Sequence, residues 1–249
     1  QAMDFYIYPV LLIVLAAIFT REVIAPASRN TCDRRWLLLS TALAVVTVVL
    51  TIGMGFIFKD GIHARAVFTL PDSWSTIEVG TLSFFVTSFI FYWWHRATHR
   101  FDSLWRTVHQ LHHSATRIES LTAFYAHPLD TVAATLIGCF SSYVILGASS
   151  MAAAWALLLT GLFDLYLHAD LHTPRWVGYI IQRPEMHRVH HAYGHHAQNY
   201  GLPIWDMLFG TWHNPETWVE RCGFDAERSD RIYAMLLGQD VHKQADGGH

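Results

Sequence analysis

The sequence predicts an all-α fold: an integral membrane helical bundle of about three spans plus a helical hairpin, with a histidine-rich helical cap at one end. Three observations predict it. The 249 residues are 52% hydrophobic and only 15% charged, where soluble proteins carry about 25% charged residues. The apolar residues are gathered into runs near the length of about 20 residues that a spanning helix needs. Finally, 13 of the 17 histidines fall between His95 and His196, in tight groups beside those runs.

The runs in order define the elements. Phe5 to Phe19 is apolar without a charge and extends to about Ile24. Gln1 to Asp4 carries no Lys or Arg and Arg21 follows the run, so a retained helix is expected rather than a signal peptide. Trp36 to Phe58 is broken only by Ser40, Thr41, Thr47 and Thr51. Val79 to Trp94 is apolar or hydroxylated, with Trp74 at its outer end. Thr131 to Leu146 and Met151 to Leu167 are divided by Gly147-Ala148-Ser149-Ser150, which predicts a hairpin whose ends return to the same side. Beyond Leu167 the chain turns polar. Pro174 and Pro184 act as breakers, a short helix is expected from Glu185 to Ala192, and Asn199-Tyr200-Gly201 reads as a turn. Trp205 to Trp212 is aromatic and interfacial in character. Phe224 to Leu237 is expected as one amphipathic helix, and Gln239 to His249 as disordered. The domain organisation expected is 1–73 for the first helices and loops, 74–215 for the histidine-rich unit, and 216–249 for the terminal helix and tail.

Charge sets an expected orientation. The first loop carries Arg21, Arg29, Arg34 and Arg35, the second only Lys59 and Arg65, and the segment after Trp94 carries Arg96, Arg100, Arg106 and Arg117. Short loops rich in Lys and Arg stay inside, so the histidines are expected on the cytosolic side. The net charge of −3 gives no basic footprint for nucleic acid. Cys32, Cys139 and Cys222 are odd in number and form no C-x-x-C, which argues against a disulfide framework or a zinc ribbon. No nucleotide-binding glycine loop occurs.

The histidine spacing carries the chemistry. His95 and His99, and His168 and His172, are four apart, so on a helix each pair shares a face. His109-x-x-His112-His113 and His187-x-x-His190-His191 each end in a doublet. Adjacent helical residues differ by about 100°, so a doublet can address two different metals. These four groups total ten imidazoles, too many for one ion and enough for two. Imidazole suits iron, zinc, copper and nickel alike. A metal transporter would instead string polar ligands along a path through the midplane, and a haem carrier would need facing axial histidines rather than doublets.

His95-Arg-Ala-Thr-His99, His109-Gln-Leu-His112-His113 and His187-Arg-Val-His190-His191, followed by Asn199-Tyr200-Gly201 and Trp205-Asp206-Met207-Leu208-Phe209-Gly210-Thr211, resemble the fatty acid hydroxylase/sterol desaturase superfamily. The resemblance runs from about Phe85 to Trp212. It implies an integral membrane oxidoreductase with a dinuclear iron centre that uses O2 to hydroxylate an unactivated C–H bond of a membrane lipid, with desaturation as the alternative outcome. Zinc is an expected replacement for iron in purified material. Carried over by residue, it implies metal ligation by His95, His99, His109, His112, His113, His187, His190 and His191, with His168 and His172 matching the extra pair of the hydroxylases. No cytochrome b5-like stretch is present, so a separate ferredoxin- or cytochrome b5-type donor with its reductase is expected.

Ligating imidazoles usually donate their other N–H to a carboxylate or carbonyl. Asp102, Glu119, Asp130, Asp164, Asp170 and Glu185 are all close in sequence. Asp164 lies inside an apolar run one turn before His168, and ionisable residues there are costly and commonly functional. His127, Asp164, Asp170, Asn199, His195 and His196 are the residues expected to support the ligands. For His127 a helix start is an equal reading, and for Asn199 ordinary turn chemistry is another.

Overall fold

A computed structural model describes residues 4–28, 33–61, 66–195 and 197–243. Among them the regular structure is helical, apart from one isolated antiparallel bridge between Ala192 and Cys222. Five helices are long and apolar enough to cross a membrane, matching three spans and a hairpin. They are α1 (Asp4–Ile24), α2 (Arg34–Gly61), α3 (Thr76–Arg100), the run from Pro128 to Ile145 and the run Ser150–His168. Between the third and fourth lie α4 (Asp102–Leu104), a π-turn (Trp105–His109) and α5 (Gln110–His113). The fourth begins as α6 (Pro128–Cys139) and ends in a π-turn (Phe140–Ile145), and the fifth is α7 (Ser150–His168).

Local sequence explains the helix boundaries. Ser75 and Glu78 form a reciprocal capping box at the start of α3, satisfying two otherwise orphaned N–H groups. Pro128 occupies the first turn of α6, where its missing N–H costs nothing, and His127 caps that helix by accepting from the Leu129 N–H at 3.1 Å. Gly147 adopts φ +59° between the two hairpin runs, and the Ser149 hydroxyl then caps α7.

The spans pack α3 on α7, α2 on α6 and α1 on α7. The α3–α7 approach is close at Gly80. A Cβ there would lie 2.6 Å from the Ala152 carbonyl oxygen and 2.8 Å from the Trp155 ring. Hydroxyl pairs bridge the helices, as at Ser83 and Ser142 (2.6 Å), because polar atoms between spans need partners inside the protein.

The C-terminal ends of α1, α3 and α7 meet the N-terminal ends of α2 and α6 at one end of the bundle. Glu22 of α1 accepts from the backbone N–H groups of Ser120 (2.9 Å) and Asp170 (2.8 Å), and Trp36 of α2 packs on Tyr125 with ring centroids 4.9 Å apart. The cap lies at this end. It contains 3-10 turns at Ser120–Phe124 and Arg175–Tyr179, α8 (Pro184–His190) and α9 (Pro203–Leu208). Its apolar core joins Leu111, Ile118 and Tyr125 to Phe224, Met235 and Val241 from the C-terminal segment.

That segment differs from expectation. Phe224 to Leu237 is two short helices, α10 (Ala226–Ser229) and α11 (Ile232–Leu236). Asp225 caps the first by accepting from the Arg228 N–H, and Arg231 leaves helical geometry at φ −83°, ψ 46°. Nor is the stretch after Gln239 loose throughout. Val241 is buried and the Gln239 carbonyl accepts from the Gln110 amide at 2.6 Å. Residues 244–249 lie outside the described residues.

Candidate metal centre

Nine of the ten histidines singled out from the sequence converge into two groups. One contains His95, His99, His109, His113 and His190; the other contains His112, His168, His187 and His191. Within each group one ring nitrogen per residue lies within 4.8 Å of all the others. Each doublet is divided: His113 and His190 serve the first group, His112 and His191 the second. The roughly 100° between successive helical residues is what divides them. The π-turn at Trp105–His109 belongs to a class of local widening common at functional sites, and His109 and His113, four apart, join the same group.

The donor atoms face one another. His95 Nε2 is 3.0 Å from His109 Nε2, and His113 Nε2 is 3.1 Å from His190 Nε2. In the second group His168 Nε2 lies 2.9 Å from His187 Nε2 and 3.3 Å from His112 Nε2, and His191 Nε2 lies 3.1 Å from His187 Nε2. Two nitrogens each about 2.1 Å from one ion are about 3.0 Å apart at a right angle and about 3.4 Å apart at a tetrahedral angle. The observed separations, 2.9 to 3.3 Å, lie within about 0.1 Å of that range.

The opposite ring edges fix the tautomers. Nδ1 of His95 donates to the Tyr200 carbonyl (2.7 Å), that of His109 to the Asp130 carboxylate (2.9 Å), and that of His112 to the Tyr125 carbonyl (3.1 Å). Nδ1 of His168 donates to the Asp164 carbonyl (2.9 Å) and that of His190 to the Gln198 carbonyl (2.8 Å). Carbonyls and carboxylates only accept, so these Nδ1 atoms carry the protons and their Nε2 atoms are bare lone pairs. His95 faces His109, and His112 faces His168, lone pair to lone pair. A cation between them relieves that repulsion. A proton would require a buried imidazolium, and burial followed by the neighbouring imidazoles pushes His112, His113, His187, His190 and His191 well below the ordinary histidine value. The residues present therefore fit a pair of metal ions.

The supporting residues are partly those expected. Asp164 Oδ1 lies 3.3 Å from His168 Nδ1, although the Asp164 carbonyl is nearer. Asn199 is fully buried and faces backbone rather than histidine. Its amide donates to the carbonyls of Met186 and His213 (2.9 Å each) and its oxygen accepts from the His213 N–H (2.8 Å). These bonds hold Gln198 and Asn199 at φ 67° and 51°, left-handed backbone that non-glycine residues adopt at a cost. The constraint aims two loop carbonyls two residues apart, Gln198 and Tyr200, at His190 and His95. Asp130, which the sequence placed among several nearby carboxylates, is the one whose carboxylate accepts a hydrogen bond from a grouped histidine, and Trp94 Nε1 also donates to it at 3.1 Å.

The structure places four other expected residues, His172, Asp170, His127 and His195, outside the two groups. His172 is 64% exposed at its side chain and stacks edge-on against Trp218, ring centroids 4.4 Å apart. The reason is local: α7 ends at His168, and Ala169 turns extended at φ −60°, ψ 140°, so the i, i+4 geometry that would pair His172 with His168 is lost. Asp170 reaches the α1–α2 connection, accepting from the Ser28 N–H at 3.0 Å and its hydroxyl at 2.8 Å. His127 is a helix cap whose Nε2 donates to the Leu236 carbonyl at 3.2 Å. His195 belongs to neither group, and His196 lies outside the described residues.

A helical bundle with five membrane-capable helices and two convergent histidine groups defines a class: histidine-rich multi-span helical proteins whose clustered imidazoles could hold metal. Within it the chain belongs to the fatty acid hydroxylase family, whose profile matches residues 80–211, a stretch that contains all nine grouped histidines. Ornithine lipid hydroxylase OlsE of Rhizobium tropici is 34% identical over 151 residues, 58% of this chain and 45% of that protein. Very-long-chain aldehyde decarbonylase GL1-9 of Oryza sativa subsp. japonica is 29% identical over 146 residues, 54% of this chain and 55% of that protein. Methylsterol monooxygenase 2-2 of Arabidopsis thaliana is 33% identical over 123 residues, 45% of this chain and 42% of that protein. The matched stretch thus spans about half the length of these relatives. No solved structure matches the chain.

Proposed function

We propose that the chain is an O2-dependent lipid hydroxylase whose two iron ions are held by His95, His99, His109, His113 and His190 on one side and His112, His168, His187 and His191 on the other. The observation that carries this reading is the lone-pair-to-lone-pair meeting of Nε2 atoms whose Nδ1 protons are already committed. The family and its hydroxylase and monooxygenase relatives support a lipid substrate and oxidative chemistry. When bound, the iron pair would supply the capacity to activate O2 and oxidise an unactivated C–H bond.

The chain's own residues do the rest. The Tyr200 and Gln198 carbonyls and the Asp130 carboxylate orient the imidazoles and raise their basicity. The buried cap, closed by Leu111, Ile118, Phe224 and Met235, keeps water from one flank of the centre. The site lies where the spans end, so a lipid tail held in the bilayer and a soluble one-electron donor of the ferredoxin or cytochrome b5 type can approach it from different directions. The arginine-rich loops on that side support a cytosolic placement. Zinc is expected to replace iron in overexpressed protein, since imidazole binds both.

The test is lipid mass spectrometry of a host expressing the full chain, against the same host expressing His112→Ala. The expected result is a lipid class that gains one oxygen atom with the wild-type chain alone. Loss of two hydrogens instead would assign desaturation. An unchanged lipidome, with transport of metal into vesicles by the purified protein, would sink the proposal.

A further inference from the structure

We propose that α9 and Ile180, which follows the 3-10 turn Arg175–Tyr179, form a platform immersed in the acyl-chain layer of the leaflet at the histidine end, with the Arg175 end of the turn at its rim, so that this flank of the cap is a membrane surface. This goes beyond the proposed reaction and does not depend on it.

Depth along α3 is the first argument. Trp205 of α9 donates from its indole N–H to the Ser88 hydroxyl at 3.0 Å and packs on Phe89 with ring centroids 5.1 Å apart. Phe209, which follows α9, packs on Trp93 at 4.7 Å and Tyr92 at 5.4 Å. Ser88 precedes His95 by seven residues, about 10 Å of helix at about 1.5 Å per residue. The apolar part of α3 from Val79 to Trp94 is 16 residues, about 24 Å of helix, so it fits within a hydrocarbon core of about 30 Å. An element touching Ser88 and Phe89 therefore sits well inside that core and not above it.

The second argument is polarity. Nothing polar can remain unsatisfied in hydrocarbon, and this element turns its polar groups inward. The Asp206 carboxylate accepts from the N–H groups of Tyr200 (2.9 Å) and Gly201 (3.1 Å) and from the Thr211 hydroxyl (2.7 Å). The Asp206 carbonyl accepts from Thr211 and Trp212, and the Trp212 indole donates to the Gly178 carbonyl at 3.1 Å, tying the 3-10 turn to the loop after α9. What faces outward is Ile180, Ile204, Met207 and Leu208, with Leu208 66% and Ile180 71% exposed, joined by the exposed rings of Trp176 and Tyr179, whose polar tips suit the membrane–water interface. The patch is continuous with the exposed α3 residues Phe85, Phe89 and Trp93, which face lipid in any membrane-spanning placement of α3. Arg96 beside Trp93, 5.5 Å from its ring centroid, and the exposed Arg175–Glu216 ion pair lie at the rim, where headgroups and water would meet them.

The experiment uses the full chain in phosphatidylcholine nanodiscs, with a genetically encoded environment-sensitive fluorophore placed at Leu208, at Ile180 or at Tyr233. Tyr233, on α11 and 84% exposed, is the aqueous reference. A nitroxide on the lipid acyl chain is expected to quench the Leu208 and Ile180 probes several-fold more than an aqueous nickel chelate does, with the reverse order at Tyr233. Aqueous quenching at Leu208 and Ile180 equal to that at Tyr233 would overturn the proposal. Protection of both probes from both quenchers would also overturn it, assigning the patch to a second copy or another protein. Two probe positions keep the answer readable if one label disturbs folding, and neither readout requires enzymatic turnover.

Discussion

The two histidine groups share their ligand type and spacing but are held by different kinds of structure. The four-histidine group leans mainly on backbone, through the carbonyls of Asp164 within α7 and Tyr125 after a 3-10 turn, with the Gln182 amide 3.2 Å from His187 Nδ1 and the Asp164 carboxylate 3.3 Å from His168 Nδ1 as side-chain contacts. The five-histidine group leans on a carboxylate at the start of another span, Asp130, and on a loop whose two carbonyls are aimed by Asn199. Apart from the side chains of Gln182 and Asp164, the first kind of support comes with the backbone of the fold. The second depends on individual side chains and on left-handed backbone. The five-histidine group should therefore be the more sensitive of the two to substitutions outside the ligands themselves.

The largest effect should come from the ligands. His190→Ala, removing a shared face of the five-histidine group, and His187→Ala, removing the middle of the four-histidine group, should each abolish product formation. Their metal contents should both fall, measured by elemental analysis of protein purified in detergent. If either variant keeps full turnover, the division into two groups is wrong.

An intermediate effect separates the two kinds of support. Asp130→Asn keeps the shape but replaces the carboxylate that accepts from His109 Nδ1. Supporting partners of this kind are worth about tenfold to a hundredfold in metal affinity. The expected outcome is a loss of that order in affinity at one of two sites, seen in a competitive chelator titration as one weakened and one unchanged step. Equal weakening of both steps would mean that the groups are coupled and do not rest on separate supports.

The same contrast explains what could be read from the sequence. The spans were legible because a membrane helix is written as a continuous apolar run, and the doublets because adjacent helical residues diverge by a fixed angle. The Nδ1 partners were mostly not legible, because Tyr200, Gln198, Tyr125 and Asp164 contribute backbone oxygens that any residue type possesses. Asp130 was visible only as one of several nearby carboxylates, and choosing it needed the packing of α6 beside Trp94. Asp170 looked equivalent in sequence yet turns to Ser28, since the chain after α7 runs toward the α1–α2 connection. For the terminal segment apolar spacing suggests one helix where the structure has two, because spacing says nothing of the cap at Asp225.

The smallest effect concerns His172. By spacing it pairs with His168, and by resemblance it would be a tenth ligand. In the structure the helix ends between the two, and His172 lies against Trp218 in solvent, its Nδ1 3.9 Å from Glu185. His172→Ala removes an exposed ring contact and little else, and surface changes of that kind usually stay within about 0.5 kcal/mol. Metal content and turnover should match wild type, and the melting temperature should move by a degree or two at most. Loss of one metal from His172→Ala would show instead that the segment after Ala169 folds back in the loaded protein. The four-histidine group would then be completed by its own mobile residue, and the contrast between a rigid and an adjustable support would be reversed.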